Sequence, residues 1–368
     1  MANKRTKKPE WSAKIIQAAQ FAAAASEKDM TPRDRHLGEL VDRVVARGSD
    51  RPVREAIDQL TVRHEYDAAD LVEMWAEEAA TSMPVQLAPP GEDAALATLF
   101  LIPLVIADEG THSIPMTVQT TTALDHIAQS LRAHGLVGAE PTVIVLPYLY
   151  RLVDLPTSWA GRRRWLQALA MGASGQPATM PTPTSETQPA TSGEAAVLHL
   201  RFMIGATVVG ENDTDLGPLP SGELEDFDDA GEDEISDSAD LSRRLEEWRK
   251  NVEAIFAKVI KGASVMVAWP NAWEIAVLQG IASFNFAATT IQLAVLDHLG
   301  VAPATVTATI TALQNDNGRY WVVDLNADSG ESNQVQWLCG SDPREELEDL
   351  TDFLRDQGIE RWQIDERT

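Results

Sequence analysis

The sequence predicts an α+β protein in which a helical N-terminal domain precedes two related β-α-β-α halves, packed as a ferredoxin-like or similar sandwich. Three observations carry this. Apolar residues recur at helical spacing through the first 83 residues; short dense apolar runs alternate with helical patterns after Pro89-Pro90-Gly91; and two pairs of those runs align without gaps. At 368 residues, with 44% apolar and 23% charged side chains, the chain has the composition of a folded protein of two or three packed units.

The helical domain is assigned to residues 1–86. Thr31-Pro32 sets an N-cap residue before a proline at the first helical position, and Leu37, Leu40, Val41, Val44 and Val45 follow at helical spacing as far as Gly48. Val53, Ala56, Ile57 and Leu60 mark another helix, as do Leu71, Val72, Trp75 and Ala79, and one more is expected before Ala25. The first α/β half, residues 87–173, opens with a strand over 99–107. A helix over 117–134 stops at Gly135, and a strand over 142–150 and a helix over 158–171 follow. Residues 174–195 are rich in Pro, Ser and Thr and hold almost no large apolar side chain to offset the entropy of ordering, so they read as a flexible linker.

The second half, residues 196–368, repeats the order: a strand over 197–209, a helix over 241–260, a strand over 264–269 and a helix from Ala272. Leu241, Leu245, Trp248, Val252, Ile255 and Val259 form the apolar face of the first of these helices. Strands over 305–313 and 319–326 flank Asn315-Asp316-Asn317-Gly318, a strong hairpin signal, and 335–339 adds a third strand. Asp342-Pro343 starts a helix that Gly358 ends, and 359–364 returns as a strand.

The ungapped pairings set residues 99–107 on 201–209 and residues 143–150 on 266–273, so that Pro147 falls on Pro270. An acidic insertion over 211–240 accounts for the longer second spacing. It carries 13 Asp and Glu with no Lys or Arg, half of the net charge of -26, and is expected to be a solvated, self-repelling loop.

Charge and composition exclude several function classes. The apolar run from Ala94 to Ala107 is shorter than a membrane helix requires and contains Pro103, so no membrane span is expected. The basic start, Lys4 to Lys8, is followed by no apolar signal region, and the lone Cys339 rules out an intramolecular disulfide, so a cytoplasmic location is expected. A charge of -26 opposes nucleic acid unless a basic patch overrides it, the candidates being Lys4 to Lys8 and Arg162-Arg163-Arg164.

The chain contains no phosphate-binding glycine loop, no dinucleotide fingerprint, no nucleophile elbow and no zinc-protease helix motif. Asp125-His126 and Asp297-His298 repeat one dipeptide, but neighbours on a helix point about 100° apart and do not naturally pair. His126 and His134 stand two helical turns apart, too far to share a metal. His199 and Arg201 alternate onto one strand face and could meet an anion. Asp226 and Asp228 begin a calcium-like pattern that fails at Ala230 and Asp237. Cys339 reads as a bystander thiol. No metal and no cofactor is expected.

The strand ends are the most informative. Tyr148 and Tyr150 after one strand, and Asn271 and Trp273 after its counterpart, are the candidate ligand-binding residues, because crevices in layered α/β sheets form at strand termini. Tyr offers a proton or hydrogen bond and Asn can orient a carbonyl. The alternative for these residues is that each proline ends its strand and the aromatics cap the core.

The N-terminal helices, the run Val145 to Tyr150 with Leu155-Pro156 and Trp159, the Ile204-Gly205-Ala206 strand and the closing helix with Gly358-Ile359 resemble a family of bacterial proteins known only as a domain of unknown function. The resemblance spans about residues 35–364 and implies a bacterial protein, with no catalytic residue to carry over. The expected function is that of a non-enzymatic cytoplasmic binding or regulatory protein, meeting a protein partner through the helical domain or the acidic loop. The alternative is a small-molecule-binding protein or enzyme with its pocket at the paired strand ends. An acidic mimic of nucleic acid is a third reading, resting on charge alone.

Overall fold

The computed structural model describes residues 11–24, 30–86, 94–108, 114–118, 121–137, 142–173, 180–183, 197–210, 232–315, 318–340 and 343–365. Among them are nine α-helices and two β-sheets, one antiparallel and one mixed.

Four helices come first: α1 (Trp11–Ala23), α2 (Met30–Val45), α3 (Arg51–Val62) and α4 (Tyr66–Thr81). Their apolar stripes converge on one core that includes Ile15, Leu37, Val41, Leu60 and Val72, each fully buried. Pro52 occupies the first turn of α3, where its missing N–H costs nothing. This core also takes in Trp159, from far along the chain.

The antiparallel sheet is built on β2 (Ala94–Asp108) and β4 (Val197–Gly210), paired from Ala95↔Gly210 to Asp108↔Val197. Near-continuous apolar runs form these strands because both faces are covered. On the far edge of β4 lies β3 (Thr142–Val145), with Val143 opposite Thr207. On the far edge of β2 lie β1 (Ser82–Gln86) and β5 (Ala263–Val267), with Met266 opposite Val105. One face packs Phe100, Ile102, Leu104 and Ile106 against α5 (Thr121–Ala133) and α7 (Glu232–Val259), where Trp248 is fully buried. The other packs Leu99, Leu101, Phe202 and Ile204 against α6 (Trp159–Ala173) and α8 (Trp273–His298). Gly205 has to be glycine: a Cβ there would stand 2.2 Å from Cζ of Phe100, whose ring occupies the space over it.

The mixed sheet has the order β8-β7-β6-β9, from β6 (Val306–Asn315), β7 (Gly318–Ala327), β8 (Ser332–Leu338) and β9 (Arg361–Asp365). The hairpin β6–β7 closes at the Asn315↔Gly318 pair, and β9 adds in parallel after α9 (Pro343–Asp356) crosses over. Residues of α8 and α9 bury its inner face around Ile310, Leu325 and Leu350. Asn285 of α8, buried, ties the two sheets' layers together: its Nδ2 donates to Leu338 O at 2.8 Å and its Oδ1 accepts from Leu338 N at 2.7 Å.

Several expectations are corrected. Residues 82–86 form strand β1 rather than the tail of a helical segment. The α7 helix starts at Glu232, within the insertion expected as a loop; residues 211–231 lie outside the described residues. Residues 117–118 are extended, with Val118 N bonded to Pro147 O, and the helix starts at Thr121. The strand over 142–150 stops at Val145, Tyr148 and Tyr150 then making single bridges to Thr117 and Phe202. Pro147, which has no N–H to give to a ladder, stands just past the end of β3. Of the stretch 174–195, only 180–183 are described; there Met180 packs on the core and Pro181 O accepts a hydrogen bond.

Candidate functional site

The four strand-end residues lie close together, but three are committed to the fold. Tyr150 is buried, and its hydroxyl donates to Pro181 O at 2.8 Å. Burial, with Tyr148 and Asp154 nearby, pushes its phenol well above the ordinary range, so it is a poor proton donor to a ligand. Its ring meets Tyr148 edge-on at 5.8 Å and Trp165 at 4.8 Å, and Trp165 meets Trp273 at 6.2 Å, forming one aromatic line through the core. Asn271 is buried; its Oδ1 accepts from Ala272 N at 2.8 Å while its backbone pairs with Leu101. Trp273 borders a cleft.

That cleft, about 330 Å³, opens at the start of α8 between Pro156, Arg162, Trp273, Glu274, Val277 and Leu278. Behind it sits an ion-pair group joining α4, α6 and α8. Arg162 is nearly buried and donates through Nη1 to Glu77 Oε2 at 2.7 Å and through Nη2 to Glu77 Oε1 at 2.8 Å, a two-pronged pairing that suits a planar guanidinium. Trp159 Nε1 donates to the same carboxylate, and Glu274 Oε1 lies 3.6 Å from Arg162. The guanidinium also stands 5.8 Å from the Trp273 ring centroid. Burial raises the Glu77 carboxyl, the neighbouring Glu274 adds to this, and together they outweigh Arg162, so that Glu77 titrates at about 7.

Arg163 is buried beside it and holds the α4–β1 junction. Its Nη1 donates to Ala79 O at 2.8 Å and to Ser82 O, and its Nη2 to Asp42 Oδ1 at 2.8 Å. From the same region Asp50 Oδ1 accepts from Ala160 N at 2.8 Å, capping α6 from the loop before α3. The triple arginine is therefore not a basic patch: Arg162 and Arg163 are internal, and only Arg164 is exposed. Lys4 to Lys8 lie outside the described residues. Sequence reasoning missed Glu77, Arg162 and Glu274 as a group. The signal was the helical spacing of Trp159, Arg162, Arg163, Leu166 and Leu169, which puts two arginines on the buried stripe of α6.

The histidines are dispersed. His134 Nδ1 donates to Ser130 O at 2.8 Å, which leaves Nε2 to accept from Asn251 at 3.1 Å. His298 is exposed at the end of α8. His199 and Arg201 are buried, and as the partners of Ile106 and Leu104 they face α5 and α7, together with the buried Asp108. His126 is exposed and lines a second cleft, of about 740 Å³, with Thr122, Ile255, Lys258, Val259 and Lys261. Among the described residues no group of three His, Cys, Asp or Glu is placed to hold a metal, and no helix is long and apolar enough to cross a membrane.

A mixed α+β chain with a cleft at a sheet's strand ends is a frequent design, and the sequence assigns this one to a family. The chain belongs to the family described as protein of unknown function (DUF2863), whose model matches residues 2–337. No curated protein and no solved structure matches it.

Proposed function

We propose that this chain is a non-enzymatic binding protein whose ligand, a small organic molecule, lies in the cleft at the start of α8. One observation carries the reading: an apolar wall of Trp273, Val277 and Leu278 adjoins the exposed Glu274 carboxylate and the shifted Glu77 behind it, the combination of concave apolar surface and perturbed titratable group typical of ligand sites. Binding rather than catalysis is favoured because Tyr150 spends its hydroxyl and Asn271 its Oδ1 on backbone partners, and Glu77 spends its carboxylate on Arg162 and Trp159. Of the four strand-end candidates, Trp273 is the contact residue and Tyr148, Tyr150 and Asn271 support it.

The same reading includes the domain organisation. We take the α1–α4 segment as a helical domain, supported by its own core, latched to the rest through Trp159, Glu77–Arg162 and Asp42–Arg163. The two halves are read as a duplication in which each half's second strand pairs with the other half's first. The registers support it: the sequence pairing that places Val143 on Met266 and Thr207 on Val105 turns the pair Val143↔Thr207 into Met266↔Val105, which is also observed. The order β5-β2-β4-β3, all antiparallel, supports the ferredoxin-like form. A cytoplasmic location in a bacterium is supported by the single cysteine and the family resemblance.

The test is Leu278→Arg, which fills the cleft from a residue already 43% exposed and so leaves the fold intact. Natively purified chain should carry a small molecule that mass spectrometry detects after denaturation and that the variant lacks. Wild-type protein free of any small molecule, or equal occupancy in both, would refute the assignment.

A further inference from the structure

We propose that the cleft between α5 and the end of α7 is a second binding site, for a small molecule bearing phosphate. The cleft is about 740 Å³, within the range of small-molecule sites. Its charged or protonatable lining residues, among the described ones, are His126, Lys258 and Lys261; none is a carboxylate. In a chain with 56 acidic and 30 basic side chains, a concave surface so composed is not the average of the surface.

The ammonium groups are uncommitted. Most of the described arginines near carboxylates form ion pairs, as Arg243 does with Asp240 and Glu247, whereas Lys258 and Lys261 form no ion pair with any described residue. Helix geometry aims them at one space. Ile255, Lys258 and Val259 share a face of α7, and Thr122 and His126, four apart, share a face of α5. The first turn of α5 holds Thr122 and no acidic residue, which suits an anion at that helix end. Lys258 in the last turn of α7 would be placed well for its own helix dipole, but Lys261, beyond the helix, is not explained that way.

The lining suits phosphate: Thr117 and Thr122 offer hydroxyl donors, and the lysines offer mobile point charges. Pro115, Ala123, Ile255 and Val259 supply an apolar wall for the body to which the phosphate is attached.

The probe is inorganic pyrophosphate, titrated calorimetrically into the whole chain at low ionic strength. Lys258→Ala/Lys261→Ala should weaken binding by about tenfold or more, since two charge contacts to the anion are lost. Lys14→Ala/Lys250→Ala, which removes the same charge elsewhere, should leave binding unchanged. Circular dichroism and thermal melting of both variants verify the fold, and all four side chains stand at the surface. No heat from wild-type protein at millimolar pyrophosphate, equal affinity in the cleft variant, or equal weakening in both variants would each overturn the site.

Discussion

Replacing Glu77 by Gln should abolish one defined part of the protein's pH dependence. The carboxyl is held at about 7 in the folded chain against an ordinary 4.5. Because the folded state keeps this proton longer than the unfolded one, the contribution of Glu77 to stability is fully present below about 4.5 and is lost as pH rises through 7. At about 1.4 kcal/mol for each tenfold change in proton affinity, the loss across that window is about 3 kcal/mol. The Gln side chain keeps a hydrogen-bond acceptor for Trp159 or Arg162 and carries no proton to lose. Both proteins share every other titrating group, so the difference between their unfolding free energies should shift by about 3 kcal/mol in favour of the variant between pH 4.5 and pH 8. Urea unfolding followed by tryptophan fluorescence at four pH values measures it. Parallel pH profiles would show that Arg162 keeps Glu77 ionised throughout, and the burial argument would fail.

Two further substitutions test the latches that hold the layers. Arg163→Met removes the donors to Ala79 O and Ser82 O and the pairing with the half-exposed Asp42, and should cost about 2–3 kcal/mol, read as a lower urea midpoint, because two backbone carbonyls lose their partner; a loss under about 1 kcal/mol would mean the side chain is dispensable. Asn285→Ala leaves both polar groups of Leu338 without their partner and should cost about 2–3 kcal/mol, with faster amide exchange at β8 than at β2; uniform exchange across both sheets would refute the local tie.

The sequence made element order legible because periodicity is a local property. The run Leu99 to Ala107, bounded by breakers, could be only a buried strand or a short buried helix, and the spacing from Leu245 to Val259 admitted only a helix. Which strand neighbours which is not local. The pairings of β3 with β4 and β5 with β2 connect residues 205 with 145 and 104 with 267, and hydrophobic alternation is the same whichever partner is chosen. Among the strand-end residues, Tyr150 and Asn271 were legible as polar groups at the right place, but their hydrogen bonds to Pro181 and Ala272 depend on a loop and on a turn that no pattern specifies.

Arg162 carries the same lesson into function. A guanidinium on the apolar stripe of α6 costs desolvation free energy that the chain recovers only because Glu77, 85 residues earlier, is delivered to it by α4. Helical spacing separates Arg162 from the exposed Arg164 two positions on, but nothing local to α6 supplies the carboxylate that Arg162 needs. The pair therefore couples two things at once: the docking of the four N-terminal helices, and the wall of the cleft beside Trp273 and Glu274. A ligand that draws Glu274 away from Arg162 would lower the Glu77 carboxyl, since the neighbouring carboxylate is one of the causes that raises it. A ligand there that displaces Glu274 should thus release a proton near pH 7.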